Sequence, residues 1–312
     1  MLSQSSATLT IREKCTDWSC ISILLIPGVA TARPDDWVFC SSQWLSRVLR
    51  GNLKRARVLA FDYSISLNES ELSSQDFLVQ GDMLLNALVN LRSLQSDTRP
   101  LFGICHSLGG LILKQGLCIA HEQPYRYGSI LSSVAGIIFL GTPHRGGTDG
   151  DILTRWLTIL ASTANIKKPM NLPEHRVALE TAMLTQLADR FEDINIQAPV
   201  LSVAESKKTK VHKGILKNKN LLVSDNHYRQ VRFLTSSQLT DTSLCTTNSP
   251  IETIRSFPLE HAALCRVELA DEPNRNAFEQ FVREALDEAE HVVFARLAAC
   301  RAPTYAKWEK NI

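Results

Sequence analysis

Short apolar runs alternate along this chain with longer segments in which apolar residues recur at helical spacing. Five runs have the length and composition of buried strands, and they are 21–27, 56–63, 100–105, 134–143 and 198–206. Helical spacing marks 41–53, 73–94, the segment after Ser107 and a closing segment over 277–299. Strands separated by helices predict βαβ units, and therefore an α/β fold with a mostly parallel sheet and helices on both faces.

Two segments depart from this alternation. Residues 148–197 have an all-helical pattern, which predicts a helical cap inserted between the fourth and fifth strands. Residues 206–256 are polar and predict a solvated insertion, with one strand-like run at 220–224. We expect both segments to belong to a single domain over 1–312.

Composition excludes several functional classes. The 312 residues are 44% apolar and carry a formal net charge of +2 without a long basic run, which argues against nucleic-acid binding. The eight cysteines lack the spacing of a metal site and indicate reduced thiols inside a cell. Charged residues interrupt the first 20 positions and the apolar run at 21–30 is short, so we expect neither a signal peptide nor a membrane span.

Ser107 lies where a predicted strand gives way to a predicted helix, in the sequence CHSLGG at 105–110. A nucleophile elbow has the pattern Gly-x-Ser-x-Gly, in which small residues relieve the crowding of a strained turn. Gly109 meets the second requirement and Gly110 follows it, whereas Cys105 is small but is not glycine. The pattern predicts that Ser107 is a nucleophile, and the alternative is a serine that caps a helix.

A nucleophilic serine needs a carboxylate that orients its base, and in this type of fold the acid follows the serine in the chain. Glu205 ends an apolar run and is the acid that we expect. Asp225 is the alternative, and Asp193 is less favoured because it precedes the strand.

The base is expected last in the chain, on a loop before the closing helix. His261 has that position, and His227 is the alternative. His106 is expected to point away from the serine side chain, and His144 occurs in the wrong order.

An oxyanion that forms on the substrate needs backbone N–H donors. We expect one from Leu108, directly after the nucleophile, and one from Val29 in the loop after the first predicted strand. Gly28 allows that loop to come close, and Pro27 has no N–H to donate.

Taken together, these segments resemble the lipase-like serine esterases of the α/β-hydrolase superfamily. That group includes the serine-active-site type and the N-terminal hydrolase-like domain of fungal NACHT, ankyrin and tetratricopeptide proteins. The matching segments extend from about residue 7 to about residue 290, and they are ISILLIPGVA, QWLSRVLRGNLKRARVLAFDY, CHSLGGLILKQGL, GIIFLGTPHRGG, VLSVAES and LEHAALCRVELADEP. Pro27 departs from the histidine usual in this family, and 206–256 is longer and more polar than the family's connection.

The resemblance implies an α/β-hydrolase fold with Ser107, Glu205 and His261 as the catalytic triad. It implies hydrolysis of a small-molecule ester or lipid through an acyl-enzyme, without a cofactor or a metal ion. It is compatible with peripheral membrane contact and with a cytoplasmic, mitochondrial or endoplasmic-reticulum location, and it identifies no protein partner. Because the family often stands beside signalling and repeat domains, the alternative is a catalytically weak or inactive interaction domain. A thioesterase or peptidase would share the same triad chemistry.

Overall fold

The computed structural model describes residues 7–13, 21–28, 56–63, 74–93, 99–144, 174–207, 247, 249 and 251–301. The strands are β1 Ala7–Glu13, β2 Ile21–Ile26, β3 Ala56–Tyr63, β4 Leu101–His106, β5 Val134–Leu140, β6 Val200–Glu205 and β7 Glu252–Phe257. The helices are α1 Ser74–Ser93, α2 Leu108–Glu122, α3 Pro124–Ser132, α4 Glu174–Asp193 and α5 Glu272–Arg301. Two 3₁₀ turns, His261–Ala263 and Val267–Leu269, lie between β7 and α5.

The seven described strands form a sheet in the order β1-β3-β2-β4-β5-β6-β7. Only the β1–β3 pair among them is antiparallel, and the other neighbours run parallel. Parallel strands place all their carboxyl ends at one edge of the sheet. The ends of β4, β6 and β7 therefore meet at the same edge, and the predicted mostly parallel sheet is confirmed.

Both faces of the sheet are covered by helices. In β2, Leu24 and Ile26 belong to a core shared with α1, α2, α3 and α4. The alternate residues Ile23 and Leu25 belong to a second core, which α5 covers. A strand buried on both faces has a nearly continuous apolar sequence. In 21–26 only Ser22 is polar, which is why this strand could be recognised from the sequence.

The five strands expected from apolar runs occur within a few residues of their predicted bounds. The edge strands β1 and β7 were not predicted, and neither was α3. Residues 252–256 were expected to belong to the polar insertion over 206–256. They instead lie in β7, which pairs with β6 along its length. Four of its six residues are exposed, so its polar sequence conceals its role as an edge strand.

Helix α4 lies within the predicted cap segment 148–197. It buries Leu184, Leu187 and Phe191 in the core that α2 shares. The remainder of that segment at 148–173, the predicted helix at 41–53 and the strand-like run at 220–224 lie outside the described residues. No helix in the described part of the chain combines the length and apolar character needed to cross a bilayer.

Candidate active site

Ser107 occupies a strained turn between β4 and α2. Its φ of 52° is in a region that non-glycine residues seldom adopt, and its ψ is −122°. Its N–H donates to the Leu140 carbonyl at 2.8 Å, and its carbonyl accepts a hydrogen bond from the Thr142 hydroxyl at 3.1 Å. Ser107 is at the N-cap position of α2, but its side chain makes no capping hydrogen bond to the helix.

Gly109 and Gly110 allow two other segments to pack against this turn. A Cβ on Gly109 would collide with the carbonyl oxygen of Ile26 and lie 2.6 Å from that of Pro27. A Cβ on Gly110 would collide with the Thr142 hydroxyl. The missing side chains thus let the end of β2 and the segment after β5 lie directly against the start of α2.

Three side chains from distant parts of the chain meet beside this turn. The Nε2 atom of His261 lies 2.9 Å from the Ser107 Oγ, and its Nδ1 atom lies 2.6 Å from Oε2 of Glu205. All three residues are buried, with relative exposures of 2% for His261, 0% for Ser107 and 1% for Glu205. Glu205 is the last residue of β6, and His261 begins the 3₁₀ turn after β7.

The partners of the His261 ring assign its tautomer. An ionised carboxylate can only accept hydrogen bonds, so Nδ1 carries the proton that Glu205 binds. Nε2 then has a lone pair directed at the Ser107 hydroxyl. This arrangement can remove a proton from the serine while the carboxylate stabilises the resulting imidazolium.

Gly141 provides the space in which the His261 ring lies. Its φ is 58°, and a Cβ there would lie 2.9 Å from His261 Nδ1 and 2.8 Å from Leu264 Cδ1. In the sequence, this glycine is part of the matching segment GIIFLGTPHRGG at the end of the fourth predicted strand. Its role depends on a side chain 120 positions later, which local sequence pattern does not reveal.

His106 is buried next to the serine, and its Nε2 atom bonds the backbone carbonyl of His261 at 3.0 Å. The centroids of the two imidazole rings are 5.0 Å apart. Burial, and secondarily the nearby His261, lowers the pKa of His106 to about 3, so this ring is neutral at ordinary pH.

The other residues considered from the sequence have different positions. Leu108 is the first residue of α2, where a helix leaves its N–H groups without intrahelical acceptors. His144 is buried and packs edge-on against Phe139, while Asp193 ends α4 before β6 begins. Val29, Asp225 and His227 lie outside the described residues.

The described residues contain no cluster of three or more histidine, cysteine or acidic side chains suited to a metal ion.

Comparison with known sequences finds partial relatives. No family model matches the chain. The mouse protein named Protein SERAC1 is 25% identical over 170 residues, which cover 53% of this chain and 24% of that protein. Its bovine counterpart is 26% identical over 167 residues, covering 52% and 23%. This chain therefore spans about a quarter of the length of these curated relatives.

Comparison with solved structures bears on the fold. The α/β-hydrolase superfamily protein from Enterococcus faecalis superposes with a TM-score of 0.50 at 14% identity, covering 92% of this chain and 99% of that chain. The observed sheet order and the turn at Ser107 agree with that likeness. The chain has an α/β-hydrolase fold, as the resemblance in its sequence implied.

Replacing Gly141 with alanine should destabilise the protein. The added methyl group would meet the His261 ring and Leu264 in a backbone conformation that disfavours side chains, so we expect a loss of about 2–4 kcal/mol in urea unfolding. Gly128→Ala is the matched control, because that glycine is in α3 and a Cβ there meets only Pro124 at 3.8 Å. It should be neutral or stabilise by up to about 1 kcal/mol. Equal effects of the two substitutions would contradict the packing described for Gly141.

The neutral His106 should make the folded state sensitive to acid. Its pKa of about 3 is below the ordinary value near 6.5, so between these pH values the unfolded chain binds more protons than the folded one. Its contribution to stability is complete above about pH 6.5 and falls as the pH decreases towards 3. His106→Gln, which cannot take up that proton, should lose less stability than the wild type over this range in urea unfolding series. His121→Gln, at an exposed position in α2, should keep the wild-type slope. Equal slopes for wild type and His106→Gln would show that His106 is not held neutral.

Proposed function

We propose that this chain is a serine hydrolase that cleaves carboxylic esters, including lipid esters, through Ser107, His261 and Glu205. The observation that carries the proposal is the continuous hydrogen-bonded series from Ser107 Oγ through the His261 ring to Glu205. It is supported by the strained turn that carries the serine, since such turns present a nucleophile at the carboxyl edge of an α/β sheet.

In the first half of the reaction, the Ser107 oxygen attacks the ester carbonyl carbon while His261 Nε2 accepts the hydroxyl proton. The positive charge formed on the ring lies 2.6 Å from the Glu205 carboxylate, whose opposite charge stabilises it in a buried environment. His261 then donates the proton to the departing alcohol. The product of this half is an acyl group on Ser107.

The negative charge that develops on the carbonyl oxygen requires N–H donors. We assign one to the backbone of Leu108, at the amino end of α2, where the helix dipole also favours negative charge. Val29 is proposed as the second donor. Support comes from Gly28, because a Cβ there would lie 2.9 Å from the Ser107 Cβ, which places the start of this loop next to the nucleophile.

In the second half, His261 removes a proton from water, which attacks the acyl carbonyl. The intermediate collapses, the acid product leaves and Ser107 regains its proton from His261. No cofactor or metal ion takes part in the proposed reaction steps. The substrate class, a small-molecule ester or lipid, follows from the family resemblance and from this acyl-transfer chemistry.

A fluorophosphonate probe should label the wild-type protein at Ser107. The serine oxygen displaces fluoride from phosphorus only when a base activates it. Ser107→Ala should abolish labelling, as measured by gel fluorescence and by mass spectrometry of the modified peptide. Ser133→Ala is the matched control, because Ser133 is also buried and hydrogen-bonded but precedes β5 at the opposite edge of the sheet. A folded wild type that resists labelling would refute the hydrolase proposal and favour an interaction domain.

Glu205→Gln should lower kcat for p-nitrophenyl ester hydrolysis by roughly 10³- to 10⁴-fold with little change in KM. The amide cannot stabilise the imidazolium and can hold the ring in the wrong tautomer. Glu252→Gln is a suitable control, since the Glu252 carboxylate binds the Ser202 hydroxyl and the Thr247 N–H. Glu252 is the first residue of β7, whereas Glu205 pairs with Phe257, the last residue of β7. We expect Glu252→Gln to change stability rather than kcat. If Glu205→Gln keeps wild-type kcat, the acid is another residue, and Asp225 would be tested next.

A further inference from the structure

We propose that His106 is a positioning residue for this reaction, which holds the backbone of His261 so that the imidazole keeps its alignment with Ser107. The inference rests on the function proposed above. It concerns the residue directly before the nucleophile, which the triad chemistry does not use.

The His261 ring is restrained at its two nitrogens, whereas its backbone belongs to a short 3₁₀ turn that follows β7. Within that turn, the His261 carbonyl accepts a hydrogen bond from the Leu264 N–H at 3.2 Å. The contact from His106 at 3.0 Å is different, because it connects this turn to the end of β4. It joins the two segments that must keep a fixed distance for proton transfer.

The chemistry of the contact also assigns the tautomer of His106. A carbonyl oxygen cannot donate, so Nε2 of His106 carries the proton. The other nitrogen, Nδ1, faces the loop after β2, since a Cβ on Gly28 would lie 3.0 Å from it. The His106 ring therefore lies between Gly28 and the segment that carries the proposed base. Its lowered pKa supports a permanently neutral donor in this position.

The sequence separation explains why such a contact matters. Ser107 and His261 are 154 residues apart, and they follow separate strands of the sheet, β4 and β7. Misplacement of a catalytic group by about 1 Å can lower a rate roughly 100-fold. Because His106 and Ser107 are consecutive, the same backbone that carries the nucleophile also fixes the backbone of the base.

The test compares His106→Leu, which removes the donor, with His106→Gln, whose side-chain amide can replace Nε2–H. For His106→Leu we expect kcat of ester hydrolysis to fall by about 10- to 100-fold with KM within about 2-fold, since alignment rather than binding is lost. His106→Gln should recover most of that loss.

His121→Leu, at an exposed position in the last turn of α2, is the control and should behave as the wild type. If His106→Leu fails to fold, His106→Asn replaces it, because its amide is too short to reach the His261 carbonyl.

Two kinetic outcomes would overturn the proposal. One is a folded His106→Leu or His106→Asn variant with wild-type kcat. The other is a His106→Gln variant as impaired as His106→Leu, which would show that the lost Nε2–H donor is not the cause.

A second measurement does not depend on activity. The Nδ1 proton of His261, in its 2.6 Å contact with Glu205, should give a far-downfield ¹H NMR signal in protein with labelled histidine. We expect this signal to shift or broaden in His106→Leu and to persist in His106→Gln. An unchanged signal in His106→Leu would refute the positioning role. A wild type that shows the signal but reacts with neither esters nor fluorophosphonate would refute the proposed function instead, and the comparison of variants would still decide the role of His106.

Discussion

The tight turn at Ser107 is the constraint on which the arrangement of the site depends. The turn holds a non-glycine residue at positive φ, a conformation that costs on the order of 1–3 kcal/mol and persists only where the surroundings enforce it. Here those surroundings are the Leu140 carbonyl and the Thr142 hydroxyl, both from the segment at the end of β5. Gly109 and Gly110 are required because the end of β2 and Thr142 occupy the space of their side chains. The neighbouring strands therefore fix the direction of the serine side chain.

The second determinant of the site is the burial of its polar groups. A carboxylate with 1% exposure is unfavourable unless it has partners, and Glu205 has the His261 ring at 2.6 Å. Hydrogen bonds in such surroundings are stronger than in water and restrict the orientation of the groups that they join. Gly141 and His106 complete the restriction, one by leaving room for the His261 ring and the other by binding its carbonyl. The ring and the backbone of the proposed base thus contact three segments, which are the end of β4 with its turn, the end of β6 and the residue after β5.

The fold of this chain and its proposed activity are supported by different observations. The sheet order, the turn and the likeness to the Enterococcus faecalis protein establish an α/β-hydrolase fold. Folds of this kind support many activities, so the activity has to be argued from the site. What supports hydrolysis is the chemistry available to Ser107, His261 and Glu205 in their present geometry. The curated relatives extend well beyond the matched region, and their full-length functions belong to those larger chains.

The sequence by itself determined the α/β class, because strands buried on both faces are apolar along most of their length. It also identified the serine turn from small residues at the right spacing. It also ranked Glu205 and His261 first among the acids and histidines, and the structure brings these two side chains together with Ser107. Only the tertiary structure disclosed β1 and β7, because the exposed residues of β7 carry little apolar signal. Likewise, the contacts of Gly141 and His106 with His261 join residues more than 100 positions apart. Local pattern records the preferences of neighbouring residues, whereas these contacts exist only after parallel strands have brought their carboxyl ends to one edge of the sheet.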